Sequence, residues 1–388
     1  MIHNLIDRNL KLADLKSPIV LVVGAPAVGK STILSNTLKP DIYFDLEDFD
    51  TFRKLSFQMD FLELVIQDSF KKIAIDNIHL LPGLLDSLNI IIQKNSVQFY
   101  ISSPSLGVLG KFIPDNLTPL IEVLSVNTLS YKEVADHLSY EQILKTGSLP
   151  ATIRSKNPLS YLSEVVGQTL FKTIYKNGKT KKPENLSRVL NELAHNLSFE
   201  INYELIGKNS SVPGRTVREY VNLLVDFEIG YIIDSLKLTS QSSQQKKFYF
   251  YDLGFTNALR NNFDLASDRT AYLSLLEQFV LIELQLYKKI NYPGLEINFW
   301  KDYQNNSIHF VLNKKVALFL IPTEQVHDYH LKHVLFLLNK ASLFSGVIIT
   351  HSKTMSRKND AKNNFNVNVV EYDLEKFLES LWKNQLFK

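Results

Sequence analysis

Short apolar runs alternate with longer helical stretches over residues 1–130 of the chain. Five of these runs lack the apolar–polar alternation of a half-exposed strand, so they are typical of strands covered by helices on both faces. Strands that alternate with helices in this way predict an α/β fold built on a parallel sheet. The predicted strands are Ile19–Val23, Ile42–Leu46, Ile73–Asp76, Phe99–Ser102 and Ile121–Val126.

The pattern changes after Leu129. The next residues are mostly helical, a region of short helices and two strand-like runs follows, and the last part alternates helices and strands again. The later strand candidates are Gly230–Leu236, Phe248–Tyr251, Glu296–Trp300, Ile308–Leu312, Val316–Ile321 and Gly346–Thr350, with a long helix at Tyr272–Tyr287. We therefore predict four parts: an α/β domain (1–130), a helical region (131–185), a part with short helices and two strands (186–255) and a second α/β domain (256–388).

Composition narrows the class of protein. A length of 388 residues predicts two or three domains, and hydrophobic and charged fractions of 45% and 21% are those of an ordinary globular chain. The absence of cysteine excludes a disulfide scaffold, a thiolate zinc site and an iron–sulfur cluster. No leader-like segment and no apolar window of about 18 residues is visible, which favours a cytoplasmic protein without a membrane span.

The segment Gly24–Thr32, GAPAVGKST, matches the phosphate-binding pattern G-x-x-x-x-G-K-[ST]. It directly follows the first predicted strand and directly precedes a predicted helix, which is the context that this pattern requires. We expect Lys30 to contact the β- and γ-phosphates of ATP and the Ser31 hydroxyl to ligate Mg²⁺. The predicted nucleotide-binding residues are Gly24, Ala27, Val28, Gly29, Lys30, Ser31 and Thr32.

A carboxylate at the end of another apolar strand is expected to complete the Mg²⁺ site. Asp76 ends such a strand and is our candidate, while the acids that follow Phe44 are an alternative. The residue after Asp76 is Asn77, where ATPases of this class usually carry a glutamate that activates the attacking water. An amide orients water but does not accept its proton, so we predict slow hydrolysis.

Three residues are candidates for the catalytic step. Asn77 is expected to orient the water, Glu47 is the leading substitute base, and Ser102, or its neighbour Ser103, is a candidate sensor of the γ-phosphate.

With these residues placed, the chain resembles a family of predicted bacterial and archaeal AAA-type ATPases. The family combines an N-terminal P-loop domain, a winged-helix segment and a C-terminal region related to PD-(D/E)xK endonucleases, so the resemblance implies these three folds. It is weak per residue but extends along most of the chain. The residues that carry it are Arg8, Gly24, Gly29, Lys30, Asp76, and the segments Leu129–Glu133, Gly147–Pro150, Lys247–Gly254 and Leu276–Val280.

The chain departs from the family pattern at several positions. The family's nuclease acids and lysine are replaced by the segments Ser307–Phe310 and Leu320–Thr323, so only Glu277 remains of that site. One acid does not assemble a catalytic metal site, and the resemblance therefore implies an inactive, endonuclease-like scaffold. The glycine–arginine pair of the relatives, a candidate arginine finger, has no counterpart in Phe112–Leu120.

Residues 198–236 have the pattern of a winged helix, a helix–turn–helix followed by two strands, so we predict that residues 186–255 form a winged-helix domain. Its second helix, Gly214–Phe227, carries Arg215 and Arg218 near its start, where major-groove readers place their side chains. Glu219 and Asp226 dilute the charge, so a protein–protein or interdomain role is the alternative to DNA binding.

Taken together, the sequence predicts a cytoplasmic, ATP-binding AAA-like protein that hydrolyses ATP slowly with Mg²⁺. Its expected partners are DNA, a second copy in a homo-oligomer, or another protein. The main alternative is a nucleotide-gated DNA-binding or scaffold module with negligible hydrolysis. A small-molecule P-loop kinase fits less well, because the remaining residues show no acceptor site.

Overall fold

The computed structural model describes residues 8, 15–57, 70–94, 96–169, 174–175, 182–237, 245–265, 269–323, 325–350, 358–359 and 367–386. They form two compact units that each take several segments of the chain. Unit 1 draws on residues 1–129, 148–188 and 216–230, and unit 2 on residues 130–147, 189–215 and 231–388. The four consecutive parts inferred from the sequence stay a prediction. No helix within the described ranges is long and apolar enough to cross a membrane.

Thirteen strands are defined in the described residues. They are β1 (Ile19–Val23), β2 (Ile42–Asp45), β3 (Lys72–Asp76), β4 (Gln98–Ser103), β5 (Ile121–Ser125), β6 (Gly230–Asp234), β7 (Lys246–Phe250), β8 (Ile297–Lys301), β9 (Ser307–Leu312), β10 (Val316–Ile321), β11 (Ser345–Thr350), β12 (Lys358–Asn359) and β13 (Asn368–Asp373).

The α-helices of the described residues vary from one turn to six. They are α1 (Lys30–Thr32), α2 (Phe49–Phe57), α3 (Leu84–Lys94), α4 (Leu106–Leu109), α5 (Tyr131–Val134), α6 (Tyr140–Thr146), α7 (Pro150–Arg154), α8 (Pro158–Gln168), α9 (Pro183–His195), α10 (Tyr203–Ser210), α11 (Gly214–Asp226), α12 (Leu253–Arg260), α13 (Arg269–Ile290), α14 (Asp328–Ala341) and α15 (Leu374–Trp382). A π-helical turn, Ile33–Thr37, continues α1.

Unit 1 is built on a five-stranded sheet with the order β2-β3-β4-β1-β5, and all neighbouring strands are parallel. The five strands predicted for this region are confirmed to within one residue at each end. Strand β1 is buried at every position, as its run of β-branched and aliphatic residues predicts for a central strand covered on both faces. Because the strands are parallel, their carboxyl ends share one edge, where ligands bind in open α/β sheets.

Unit 2 contains a six-stranded mixed sheet with the order β12-β13-β11-β10-β9-β8, and β6 pairs with β7 in a separate two-stranded sheet. Strands β10, β11 and β13 are parallel, whereas β8, β9 and β10 pair antiparallel. The strand candidates of this region are confirmed, but β12 and β13 were not predicted. The endonuclease-like character of this sheet stays a prediction.

The helix–turn–helix segment forms α10 and α11, close to the predicted bounds. Val217, Val221 and Leu224 are buried on one face of α11, whereas Arg215 and Arg218 are exposed on the other. Apolar residues buried at this spacing are typical of an amphipathic helix, and the predicted second helix, Gly214–Phe227, is confirmed to within one residue.

Candidate nucleotide-binding site

The loop that follows β1 has backbone features that only small residues satisfy. Gly24 passes so close to the end of β5 that a Cβ atom there would lie 1.9 Å from the Val126 carbonyl oxygen. Gly29 has a φ of 96°, in the left-handed region that favours glycine. Both glycines of the sequence motif are therefore required by the path of the loop.

Lys30 folds back across this loop. Its Nζ atom donates to the carbonyl oxygens of Gly24 at 2.8 Å and Ala25 at 2.9 Å. Burial lowers the pKa of Lys30 to about 8, and the negative charges of Asp76, Glu228 and Glu47 oppose that shift. At neutral pH the side chain is thus mainly a cation in a cleft of low polarity, where its attraction for an anion is strengthened.

Asp76, at the end of β3, is buried and accepts three hydrogen bonds. Its Oδ2 atom accepts a bond of 2.6 Å from the Tyr43 hydroxyl, and its Oδ1 atom accepts bonds from the Ser102 hydroxyl and, at 3.1 Å, from the backbone N–H of Asn77. Burial and the adjacent Asp76 raise the pKa of Tyr43 well above its usual value, so this phenol stays protonated as a donor.

The donor set around Asp76 suits a magnesium ion. Tyr43 donates to Asp76, the carboxylate that the sequence assigned to the metal, and Ser31 borders the cavity. Mg²⁺ prefers such oxygen ligands and takes one or two from the protein, with water and phosphate oxygens completing its shell. The hydroxyl of Ser31 and the carboxylate of Asp76 are therefore of the kind that the predicted role requires, and Tyr43 orients Asp76.

Replacing Tyr43 by phenylalanine removes the hydroxyl that donates to Asp76 Oδ2, so this carboxylate is no longer held in one orientation. We expect the Mg²⁺ concentration needed for half-maximal nucleotide binding to rise by about tenfold, as is typical when an outer-shell partner of a metal ligand is removed. Titration of Mg²⁺ against a fluorescent ATP analogue measures this shift. Tyr100→Phe is the matched control, since the Tyr100 hydroxyl bonds Gln98 Oε1 on β4. Equal midpoints in the two variants would contradict the role of Tyr43.

Asn77 has a left-handed backbone, with φ of 61°. Its Nδ2 atom lies 3.4 Å from Asp45 Oδ1, and its backbone N–H also donates to the Ser102 hydroxyl at 2.8 Å. Glu47 is exposed and borders the same cleft, two residues after the end of β2. Two of the three predicted catalytic residues, Asn77 and Glu47, thus border the cleft, whereas Ser102 is buried behind Asp76. Their catalytic roles stay predictions.

The cleft is a cavity of about 1180 Å³. One wall is the glycine-rich loop with Lys30 and Ser31, and a second consists of the residues that follow β2 and β3. Helices α7 and α8 contribute the third wall, through Pro150, Arg154 and Tyr161 among others. This volume exceeds that of a nucleotide, so the cavity has room for a bound triphosphate with its base.

Three residues of this site were not assigned a role by the sequence analysis. Arg8 donates to the carbonyl oxygens of Val28 at 2.7 Å and Asn127 at 2.9 Å, which fastens the loop; its place in the family resemblance was the available signal. Tyr43 and His79 also belong to the site. Their spacing in the sequence does not identify them as site residues, because it is the order of the strands in the sheet that brings them close to the loop.

Unit 2 holds the acid that remained from the nuclease pattern. Glu277 Oε1 accepts bonds from Lys247 Nζ at 2.9 Å and from the Tyr249 hydroxyl at 2.6 Å, and all three side chains are buried. Burial opposes ionisation of Glu277, but Lys247 and His309 outweigh it and hold the pKa of Glu277 below its usual value. The Glu277 carboxylate therefore forms a buried ion pair with Lys247.

Two family models match the chain. Residues 16–135 match a model described as an AAA domain, and residues 127–266 match one described as a domain of unknown function. The first match contains β1–β5 and the loop with Lys30, so the parallel sheet and the phosphate-binding motif lie in the part of the chain that is similar to an AAA domain. No protein of curated function matches the chain.

Two solved structures are similar in part. The replication initiator DnaA bound to AMPPCP and single-stranded DNA is 11% identical, with 54% of this chain and 82% of that chain covered and a TM-score of 0.30. The Aeropyrum pernix ORC1 protein in complex with DNA is 10% identical, with 62% and 86% covered and a TM-score of 0.24. Likenesses at this level do not bear on the function of this chain.

Proposed function

We propose that this chain binds ATP with Mg²⁺ in the cavity of unit 1 and hydrolyses it slowly. The observation that carries the proposal is that Lys30 and Ser31 line one cavity at the carboxyl edge of a parallel sheet, with the buried Asp76 near enough for its charge to act on Lys30. A P-loop sequence alone predicts a phosphate contact. A carboxylate beside the loop also supplies a means to hold, directly or through water, the metal that accompanies the triphosphate.

The chemistry follows from the donors present. The phosphate oxygens would replace the carbonyl oxygens of Gly24 and Ala25 as acceptors for Lys30, which strengthens the contact because the new acceptors are charged. Magnesium, when bound, neutralises charge that builds up between the β- and γ-phosphates. The Asn77 amide would orient the attacking water, and Glu47, which borders the same cavity, would accept its proton.

A second candidate function is a nucleotide-gated module with negligible turnover. Asn77 favours it, since an amide at this position provides no base. The full-length protein should therefore be assayed for both ATP binding and phosphate release, with and without duplex DNA. Binding with measurable release supports the ATPase, whereas tight binding without release under either condition supports the gated module. Mass analysis of the products would reveal a phosphorylated acceptor if the chain were instead a kinase.

We further propose that the winged-helix segment contacts DNA through α11. Arg215 and Arg218 are exposed near the start of this helix, on the face opposite its buried residues. Glu219 is exposed on the same helix and reduces the attraction for phosphate, so we expect moderate, salt-sensitive binding. The sheet of unit 2 would then act as a scaffold, with its former acid held by Lys247.

Replacing Arg218 by alanine is expected to weaken binding of duplex DNA several-fold and to lower the slope of log K against log salt by about one, as the loss of one phosphate contact predicts. Fluorescence anisotropy with labelled duplex at several salt concentrations measures both. The control is Lys208→Ala on the preceding helix, α10. An unchanged slope in Arg218→Ala would contradict a phosphate contact and would favour a protein or a second copy of the chain as the partner.

A further inference from the structure

His79 borders the cavity together with Lys30 and Asn77. It lies on a short 3₁₀ turn, Ile78–Leu80, which starts immediately after the strand that ends in Asp76. The charges of Lys30 and Asp76 both act on its ring. His79 is therefore placed at the end of the cavity where the proposed function puts the metal and the terminal phosphate.

His79 is half-buried, and its Nδ1 atom is enclosed and has no hydrogen-bond partner within the described part of the chain. An enclosed N–H without an acceptor is rarer in proteins than an acceptor without a donor. The proton is therefore better placed on Nε2, which makes Nε2 the ring atom that can donate to a ligand in the cavity.

The ring is neutral under ordinary conditions. Burial, and next the positive charge of Lys30, lower the pKa of His79 to about 4. A neutral imidazole donates one hydrogen bond and adds no charge beside Lys30. This makes His79 a directional contact for an anion and leaves the bulk of the electrostatic attraction to Lys30 and the metal.

We propose that His79 donates a hydrogen bond from Nε2 to an oxygen of the γ-phosphate, and that the site thereby distinguishes ATP from ADP. This inference rests on the proposed function, because it requires a triphosphate bound at Lys30. Ser102, which was the sequence-based candidate for a γ-phosphate sensor, instead donates to Asp76. His79 borders the cavity directly and therefore suits the contact better.

The test compares a triphosphate and a diphosphate in the full-length protein. Affinities for the non-hydrolysable analogue AMPPCP and for ADP, both with Mg²⁺, are measured by calorimetry for the wild type, His79→Ala and His79→Gln. We expect His79→Ala to lose about tenfold or more in affinity for AMPPCP, the usual effect of removing a hydrogen bond to a charged group, while its affinity for ADP changes less than twofold. His79→Gln retains an N–H donor and should recover part of the loss.

Other results would overturn the inference. An equal loss of both affinities in His79→Ala would mean that the ring only supports the fold of the site, and unchanged affinities would mean that it makes no contact. His195→Ala, at an exposed position of α9, is the matched control. Failure of the wild type to bind either nucleotide would instead refute the proposed function itself, so the two failures are distinguishable.

Discussion

Replacing Lys30 by alanine is expected to lower the affinity for Mg²⁺–ATP by about a hundredfold or more and to abolish phosphate release. The side chain is half-buried, and its Nζ atom is held at 2.8 and 2.9 Å from two carbonyl oxygens of the loop, so the position of its charge is already fixed before a phosphate arrives. A charge-assisted bond in a cleft of low polarity is worth more than a surface contact. Calorimetry and a coupled phosphate assay measure the two effects.

Lys54→Ala provides the control for this experiment. Lys54 is an exposed lysine of α2, in the same unit, and does not border the cavity. It should leave both binding and turnover at the wild-type level. Turnover that persists in Lys30→Ala would contradict the placement of the active site and would direct attention to a contaminating enzyme or to another pocket.

Replacing Asn77 by glutamate is expected to raise the rate of ATP hydrolysis by about a hundredfold. The side chain borders the cavity next to Lys30 and follows the carboxylate assigned to the metal, so a carboxylate at this position can accept the proton of the attacking water. Proton transfer to a positioned base contributes about 10²- to 10⁴-fold in other enzymes, and the lower end is expected for an introduced group. The assay is the turnover number under saturating Mg²⁺–ATP.

The backbone conformation at position 77 is expected to lower the stability of this variant. Asn77 has a φ of 61°, which asparagine tolerates better than glutamate, so we expect Asn77→Glu to be about 1 kcal/mol less stable to unfolding. Asn77→Gln has the same length and the same backbone cost without a base, and serves as the control. Equal turnover in the two variants would show that this position does not limit hydrolysis and would favour another base, such as Glu47.

The sequence predicted the sheet of unit 1 well because its strands are buried on both faces. Runs such as Ile19–Val23 contain no polar residue, so they do not have the pattern of an amphipathic helix. The glycine-rich loop that follows shows where β1 ends. A site residue at this edge of the sheet can be located from the end of a predicted strand alone, as in the case of Asp76. Chemistry that depends only on local sequence and on the parallel order of strands was thus accessible before the structure.

Tyr43, His79 and the wall formed by α7 and α8 were not accessible in the same way. Tyr43 meets Asp76 because β2 and β3 pair with Asp45 beside Asp76, a register that the sequence does not state. Helices α7 and α8 lie beyond residues that belong to unit 2, so their position follows from tertiary packing and not from chain order. Side-chain roles that depend on long-range packing require the coordinates.

The third wall of the cavity affects how the protein can be divided for experiments. The AAA-domain match ends at residue 135, whereas α7 and α8 lie at residues 150–168 and the backbone N–H of Leu129 donates to the Ser148 carbonyl at 3.0 Å. A fragment cut at the end of that match would keep the glycine-rich loop but expose the face of the nucleotide cleft that Pro150 and Tyr161 enclose. Residues 216–230 of unit 1 would be missing as well. Nucleotide binding is therefore best studied in the uncut chain, and a negative result from a short fragment would say little about the intact protein.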